Sequence, residues 1–354
     1  MISAPTYSKT LRHRHNDDST KVGAEQTAFI REMMAREAKT SRVPFSQAIS
    51  LMDESGSLGG VIPTKEGWRH LCNEIAPGLY SFMMGWENQG LPVEEVHKIQ
   101  RTTFNTAYEA RRNDLKNHRV TLYEANGLTR MEAIVSPKYA LINTLDIMRE
   151  IPKNFGSDIQ LSTMMVKGRQ FGATFINPTM RRTFVSERAQ EGEVVDLGYQ
   201  IQNSEDRSLT VGINVCAYLQ HCTNGMRSTR DIHSVNARHI GNGLQLGRNL
   251  SKLNIGDMTG IIDLVAESSS VRLDDGTMKT HQNWVVRKSS KEFGESVVSP
   301  KVSYRGAHGR AAYPTVFDVF NAITERAHQD NALDVDRSMQ MEGLGYDYIR
   351  YAMS

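Results

Sequence analysis

Leu209-Thr210-Val211-Gly212-Ile213-Asn214-Val215-Cys216-Ala217-Tyr218-Leu219 is the stretch that decides the fold. Leu, Val, Ile, Val, Ala and Leu take every second position, with Thr, Gly, Asn, Cys and Tyr between them. Successive side chains of a strand point to opposite faces, so this period of two predicts a strand with one apolar and one mixed face. Such a strand belongs in the core of an antiparallel sheet. Just upstream, residues 159–166 and 171–176 are short β-type runs joined by Lys167-Gly168-Arg169, which reads as a hairpin, and residues 194–202 read as another strand.

Towards both ends the period changes to that of helices. Phe29, Ile30, Met33, Met34 and Ala38 mark one face of a helix over 22–38. Gly56, Gly59 and Gly60 mark a loop. Pro63-Thr64 then opens a helix with Trp68, Leu71, Cys72 and Ile75 on one stripe, ended by Pro77-Gly78. A longer helix over 93–118 follows Pro92, its cations laced with Glu94, Glu95 and Glu109. Residues 130–136 form a strand ended by Pro137, and Leu141, Leu145 and Met148 belong to a helix stopped by Pro152. A helix over 257–267, a turn at Asp274-Asp275-Gly276 and a last helical region opening at Tyr313-Pro314-Thr315 complete the reading. The expected fold class is α+β, a central antiparallel sheet with helices from the N- and C-terminal regions packed on it. Residues 1–21 are expected to be a flexible basic arm. Residues 22–354 are expected to form a single domain: helical over 22–128, strand-rich over 129–222, mixed and basic over 223–312, helical over 313–354.

The chain has 354 residues, 39% hydrophobic and 23% charged, which suits a globular protein. No apolar run approaches the roughly 20 residues that cross a bilayer, so no membrane partner is expected. Met1-Ile2-Ser3-Ala4-Pro5-Thr6 opens no secretory signal, and Cys72, Cys216 and Cys222 suit reduced thiols, which together predict the cytoplasm of a host cell. The net charge of +2 hides an asymmetry. Seven Lys or Arg residues lie between Lys279 and Arg310 against Glu292 and Glu295, whereas seven acidic residues face three Arg between Val316 and Arg350. A basic segment of this kind is compatible with a phosphate-binding face.

Four stretches in order carry a family resemblance. Arg130-Met131-Glu132-Ala133-Ile134-Val135-Ser136-Pro137-Lys138-Tyr139 resembles an R-A-I-L-S-x-x-Y signature. Gly198-Tyr199-Gln200-Ile201-Gln202-Asn203-Ser204-Glu205 resembles G-x-x-I-x-N-S-E, and Cys222-Thr223-Asn224-Gly225-Met226 resembles C-T-N-G-M. Phe317-Asp318-Val319-Phe320-Asn321-Ala322-Ile323-Thr324 resembles W-D-x-x-N-A-I-T. These are elements of a phage/plasmid-like family catalogued as domain of unknown function nine hundred and thirty-two. Phe317 stands where that family commonly has Trp, and Asp206-Arg207 replaces its Gly. The resemblance implies a home in phage, plasmid or prophage, among DNA-metabolism genes, and supplies no activity.

No catalytic motif emerges, and neither a cofactor nor a metal is expected. Cys216, His221, Cys222, His233 and His239 are zinc-type ligands without the spacing of a structural site. Glu187, Glu191, Glu193, Asp196, Asn203 and Glu205 supply the carboxylates a metal-dependent nuclease needs, which makes that one alternative. Gly241-Asn242-Gly243-Leu244-Gln245-Leu246-Gly247 has the wrong spacing for a dinucleotide fingerprint. Nucleic-acid binding has the broadest support. Arg227, Arg230, Arg238, Arg248 and Lys252 crowd behind the core strand; Lys167, Arg169, Arg181, Arg182 and Arg188 decorate the hairpin. Asn203, Asn224 and Asn236 offer amides. Trp284 precedes Arg287 and Lys288, and Tyr304 precedes Arg305, neighbours that would join base stacking to phosphate contact. The expected function is therefore non-catalytic binding of nucleic acid, single-stranded DNA first, in replication or recombination. Arg227, Arg230, Arg238, Arg287, Lys288 and Arg305 are the expected contacts, and a homo-oligomeric ring is the assembly that strand annealing would use. The other alternative is a structural or host-interaction protein.

Overall fold

The computed structural model describes residues 8–12, 19–155, 158–184, 193–219, 224–227, 234–237, 259–293, 314–329 and 335–354. In chain order the elements begin with β1 (Ser8–Arg12), α1 (Ser19–Ala38), β2 (Thr40–Pro44), α2 (Phe45–Ala48), β3 (Val61–Pro63), α3 (Lys65–Ile75), α4 (Leu79–Gly85) and a single 3-10 turn, Trp86–Asn88. They continue through α5 (Val93–Leu115), β4 (Arg119–Ala125), β5 (Leu128–Val135), α6 (Thr144–Phe155), β6 (Gln160–Lys167), β7 (Gln170–Phe184), β8 (Glu193–Ser204) and β9 (Val211–Leu219). The last are β10 (Asn224–Arg227), β11 (Ser234–Ala237), α7 (Thr259–Ser268), α8 (Asp275–Phe293), α9 (Val316–Gln329) and α10 (Val335–Ala352).

The expected α+β architecture is present. Among the described residues, seven strands form the large sheet in the order β1-β6-β7-β8-β9-β10, with β11 also pairing β9. Among the described residues every pairing in that sheet is antiparallel. The hairpin between β6 and β7 closes through Gly168 and Arg169, with Lys167 opposite Gln170. Gly168 has φ +61°, a left-handed conformation that a residue without Cβ adopts at little cost.

Period two sorts the sheet as its central strand implied. Phe171, Ala173 and Phe175 on β7 share a face with Tyr199 and Ile201 on β8 and Ile213 and Val215 on β9. All are buried in one cluster with Phe29 of α1 and Ile147 and Ile151 of α6. The opposite face carries Thr174, Gln200, Gln202 and Asn214, and it is buried too. Gln200 donates its amide to the Glu342 carboxylate, which lays α10 across this polar face. Helices from both ends of the chain therefore cover the sheet.

A second sheet, in the order β2-β4-β5-β3, was not foreseen; its β3–β5 pair is parallel. It holds a core of its own, in which Trp68 packs on Phe104 with ring centroids 4.9 Å apart and Cys72 is fully buried. Burial pushes the Cys72 thiol far above its ordinary range, so it is a packing residue.

Several boundaries differ from the sequence reading; β7 runs on to Phe184 where the β-type run was read to end at Ile176. Within the supposed arm, Ser8–Arg12 pairs with β6, because backbone pairing to an open sheet edge offsets ordering entropy that side chains alone would not. Pro152 lies inside α6 rather than ending it. Asp274 does not open a turn: its Oδ1 accepts the Thr277 N–H at 2.8 Å and caps α8, a helix that the Asp-Asp-Gly reading hid. The start of α9 is a capping box. Thr315 N–H and Oγ1 both donate to Asp318 Oδ2, at 2.8 and 2.9 Å, and Asp318 N–H donates back to Thr315 Oγ1 at 3.2 Å. Asp318→Ala should cost about 1 kcal/mol, read as a lower urea midpoint; an unchanged midpoint would deny the cap its role.

Candidate functional site

Two charged regions stand out among the described residues: an ion-paired junction between the sheets and the outer face of α8. The junction gathers Arg36 and Glu37 from α1, Arg42 from β2, Glu132 from β5, Arg169 from the β6–β7 hairpin and Glu205 from just beyond β8. Arg169 is its hub, pairing with Glu37 at 3.3 Å, Glu205 at 3.2 Å and, closer still, Glu132. Arg36 also pairs with Glu132, while Arg42 reaches Glu37 at 2.7 Å and Glu205 at 3.0 Å. Burial raises the Glu37 carboxyl, but Arg42 and Arg169 outweigh it and hold the group below its ordinary value. Burial likewise opposes the charge of Arg169, and its three carboxylates overcome that and raise its pKa.

The first two quoted motifs meet here. Tyr139 Oη donates to the Ser204 carbonyl at 2.7 Å and accepts the Arg207 N–H at 3.1 Å. Asn203 donates to the Ile142 carbonyl at 2.9 Å, and Glu205 accepts the Thr144 N–H at the start of α6 at 3.1 Å. Asn-Ser-Glu is thus a staple that fixes the β8–β9 turn against α6. Arg207 follows it with φ +62° and pairs with Glu74, which His118 approaches at 3.2 Å. Burial lowers the His118 pKa, which works against an ion pair with Glu74. With three guanidinium groups matched by three carboxylates, the junction has no charge left for a ligand. Its chemistry is structural.

The supposed catalytic sets fare in kind. Asp196 is fully buried and held by Arg181 through Nε at 2.7 Å and Nη2 at 3.1 Å, so it is sealed from solvent metal. Glu205 is spent in the junction. Glu187 and Glu191 lie outside the described residues, as do His221, Cys222, His233 and His239. Cys216 is buried on β9, its thiol pushed well up by burial and the nearby Glu342. Among the described residues no group of three or more His, Cys, Asp or Glu is arranged to hold a metal ion.

Of the six expected nucleic-acid contacts, Arg230, Arg238 and Arg305 lie outside the described residues. Arg227 sits in β10 opposite Cys216. Arg287 and Lys288 lie on α8, and the structure adds Lys279 and Asn283 to them. Lys279, Asn283 and Arg287 recur at i, i+4 and i+8, and all three are exposed. Neither Lys279 nor Arg287 has a carboxylate partner among the described residues. Lys288 is partly spent, 3.6 Å from Asp347 and over the Trp284 ring.

The inner face of the same helix corrects the stacking expectation. Trp284 is 9% exposed and lies flat on Tyr351, with centroids 4.8 Å and planes 12° apart. It packs α8 onto α10 and offers no ring to a base. His281 Nδ1 lies 2.9 Å from Tyr348 Oη and adds a polar anchor. Asn203 is wholly buried and cannot reach a base edge, and Arg169 and Arg181, read as hairpin decoration, are consumed by carboxylates. Sequence reasoning missed the stripe because the helix itself was missed; the i, i+4, i+8 spacing was the available signal.

No protein-family model matches the chain, and no curated protein and no solved structure matches it. The four-motif resemblance rests on the quoted residues alone.

Proposed function

We propose that the chain is a non-catalytic nucleic-acid-binding protein of a phage or plasmid, acting on single-stranded DNA in replication or recombination. The observation that supports this reading is the α8 stripe. Lys279 to Arg287 spans about 12 Å of helix, and neither cation is ion-paired with a described carboxylate, Asp275 one turn before Lys279 included, while the helix's other face is locked by His281, Trp284 and Val285. On a rigid helix no backbone ordering is added to the rotamer freedom that each Lys or Arg loses on meeting a phosphate chain. With Trp284 turned inward, the contacts on α8 are to phosphate, which makes binding salt-dependent and tolerant of sequence.

The test is fluorescence anisotropy of a labelled oligothymidylate with the wild type and with K279E/R287E. The variant should bind about tenfold more weakly at low salt, and its log K against log salt slope should fall by about 1.4, two phosphate contacts' worth. Equal affinity in a variant with unchanged circular dichroism would remove α8 from the interface.

A further inference from the structure

The helices packed with the second sheet carry a different surface, on the stretch from α4 to the start of α5. Phe82 is 55% exposed and meets Trp86 edge-on at 6.0 Å, while Leu91 and Val93 are 37% and 62% exposed. A side chain of that size left in water forgoes burial that core residues obtain, and several exposed large apolar side chains within one stretch of twelve residues are the material of a contact site. The backbone beneath is firm. Gln100 of α5 donates to the Met83 carbonyl at 3.0 Å and to Glu87 at 3.2 Å, which ties the end of α4 and the 3-10 turn to α5. Val93 shares its helix face with buried Val96 and Gln100, so it continues the α4-facing side of α5 into solvent.

Charge says what fits there. From Leu79 to Lys98 the chain holds Glu87, Glu94 and Glu95 against Lys98 alone, and all three glutamates are exposed. Glu94 and Glu95 also complement the N-terminal dipole of α5, but two carboxylates exceed its roughly half charge, and Glu87 adds a third. Exposed aromatics invite a nucleic-acid reading, since bases stack on such rings. The acidic rim opposes it, because every phosphate brought to the patch would meet like charge. We infer that this surface docks a protein partner, through an amphipathic segment with an apolar stripe flanked by Lys or Arg.

Two labelled helical peptides of about four turns, with one leucine stripe and either lysine or glutamate on the polar face, test this against the full chain at physiological salt. The lysine peptide should bind about tenfold more tightly than the glutamate peptide, and F82S/V93S, which alters only exposed side chains, should weaken it by a similar factor. E94K/E95K should invert the preference. An unlabelled oligothymidylate should leave the peptide in place. Equal binding of both peptides, no binding by either, indifference to F82S/V93S or to E94K/E95K, or displacement by the oligothymidylate would each overturn the inference. Because α8 is untouched by these variants, K279E/R287E should retain peptide binding, and this separates the two surfaces.

Discussion

Replacing Arg169 with methionine should lower the stability of the protein by about 3–5 kcal/mol, read as the loss of urea midpoint at pH 7. The side chain is 4% exposed and stands among three carboxylates, two of which, Glu132 and Glu205, are 5% and 7% exposed. Methionine fills the volume but leaves three carboxylates against two cations, Arg36 and Arg42, and the one uncompensated buried charge makes the loss large. An exposed pair gives the contrast. Arg111 meets Asp114 at 3.1 Å with both side chains more than half in solvent, so R111A should cost at most about 1 kcal/mol. Adding E132Q to R169M should restore part of the loss by matching two carboxylates to the two remaining cations, a coupling that independent sites would not show.

The pH dependence follows with its sign. In the wild type the Glu37 carboxyl is held below its ordinary value of 4.5. The folded state thus releases that proton more readily than the unfolded one, so the contribution is present above pH 4.5 and lost as pH falls through the lowered folded value. R169M removes one of the two cations that lower the Glu37 pKa, so in the variant less of that contribution is present at pH 7 and less remains to be lost in acid. The stability gap between wild type and R169M should therefore narrow from pH 7 to pH 4. A constant gap would contradict a charge-based junction.

The second large effect is expected at Gly198, opposite Ile176 in the β7–β8 ladder and next to the register shift between Asn177 and Arg181. A Cβ at this position would collide with the Phe175 carbonyl oxygen and lie 2.9 Å from Ile176 Cα. Those atoms are backbone of the paired strand and cannot rotate aside, so alanine must part the two strands in the middle of the large sheet. Gly198→Ala should cost about 3 kcal/mol or more and reduce soluble yield. Gly23, exposed on α1 with nothing within 4 Å, should respond oppositely, Gly23→Ala stabilising by about 0.5–1 kcal/mol. Similar melting curves for the two variants would refute the close-approach account.

These residues show how far the sequence reading reached. The alternation over 209–219 identified the core strand and the antiparallel sheet, because burial on one face imposes a period that survives in the residue order. Helical stripes such as Trp68-Leu71-Cys72-Ile75 were legible for the same reason. The junction was not. Arg169 and Glu37 are 132 positions apart, and nothing local distinguishes a buried guanidinium from one on the surface, so Arg169 read as a phosphate contact. Asp274-Asp275-Gly276 shows the other failure: Asp caps helices and opens turns with one hydrogen-bonding geometry, and only the apolar pattern beyond it decides. Trp284 beside Arg287 and Lys288 suggested stacking on a base because nothing local shows that Tyr351 of α10 already covers the ring.

The central claim, binding of single-stranded DNA through phosphate contacts, is tested most directly by titrating the wild-type protein, with divalent metal chelated, into labelled single- and double-stranded DNA and RNA at low and physiological salt. The account predicts micromolar or tighter binding at low salt, strongest for single-stranded DNA, weakening linearly in log salt. No binding to any of these at low salt, or binding indifferent to salt, would contradict it.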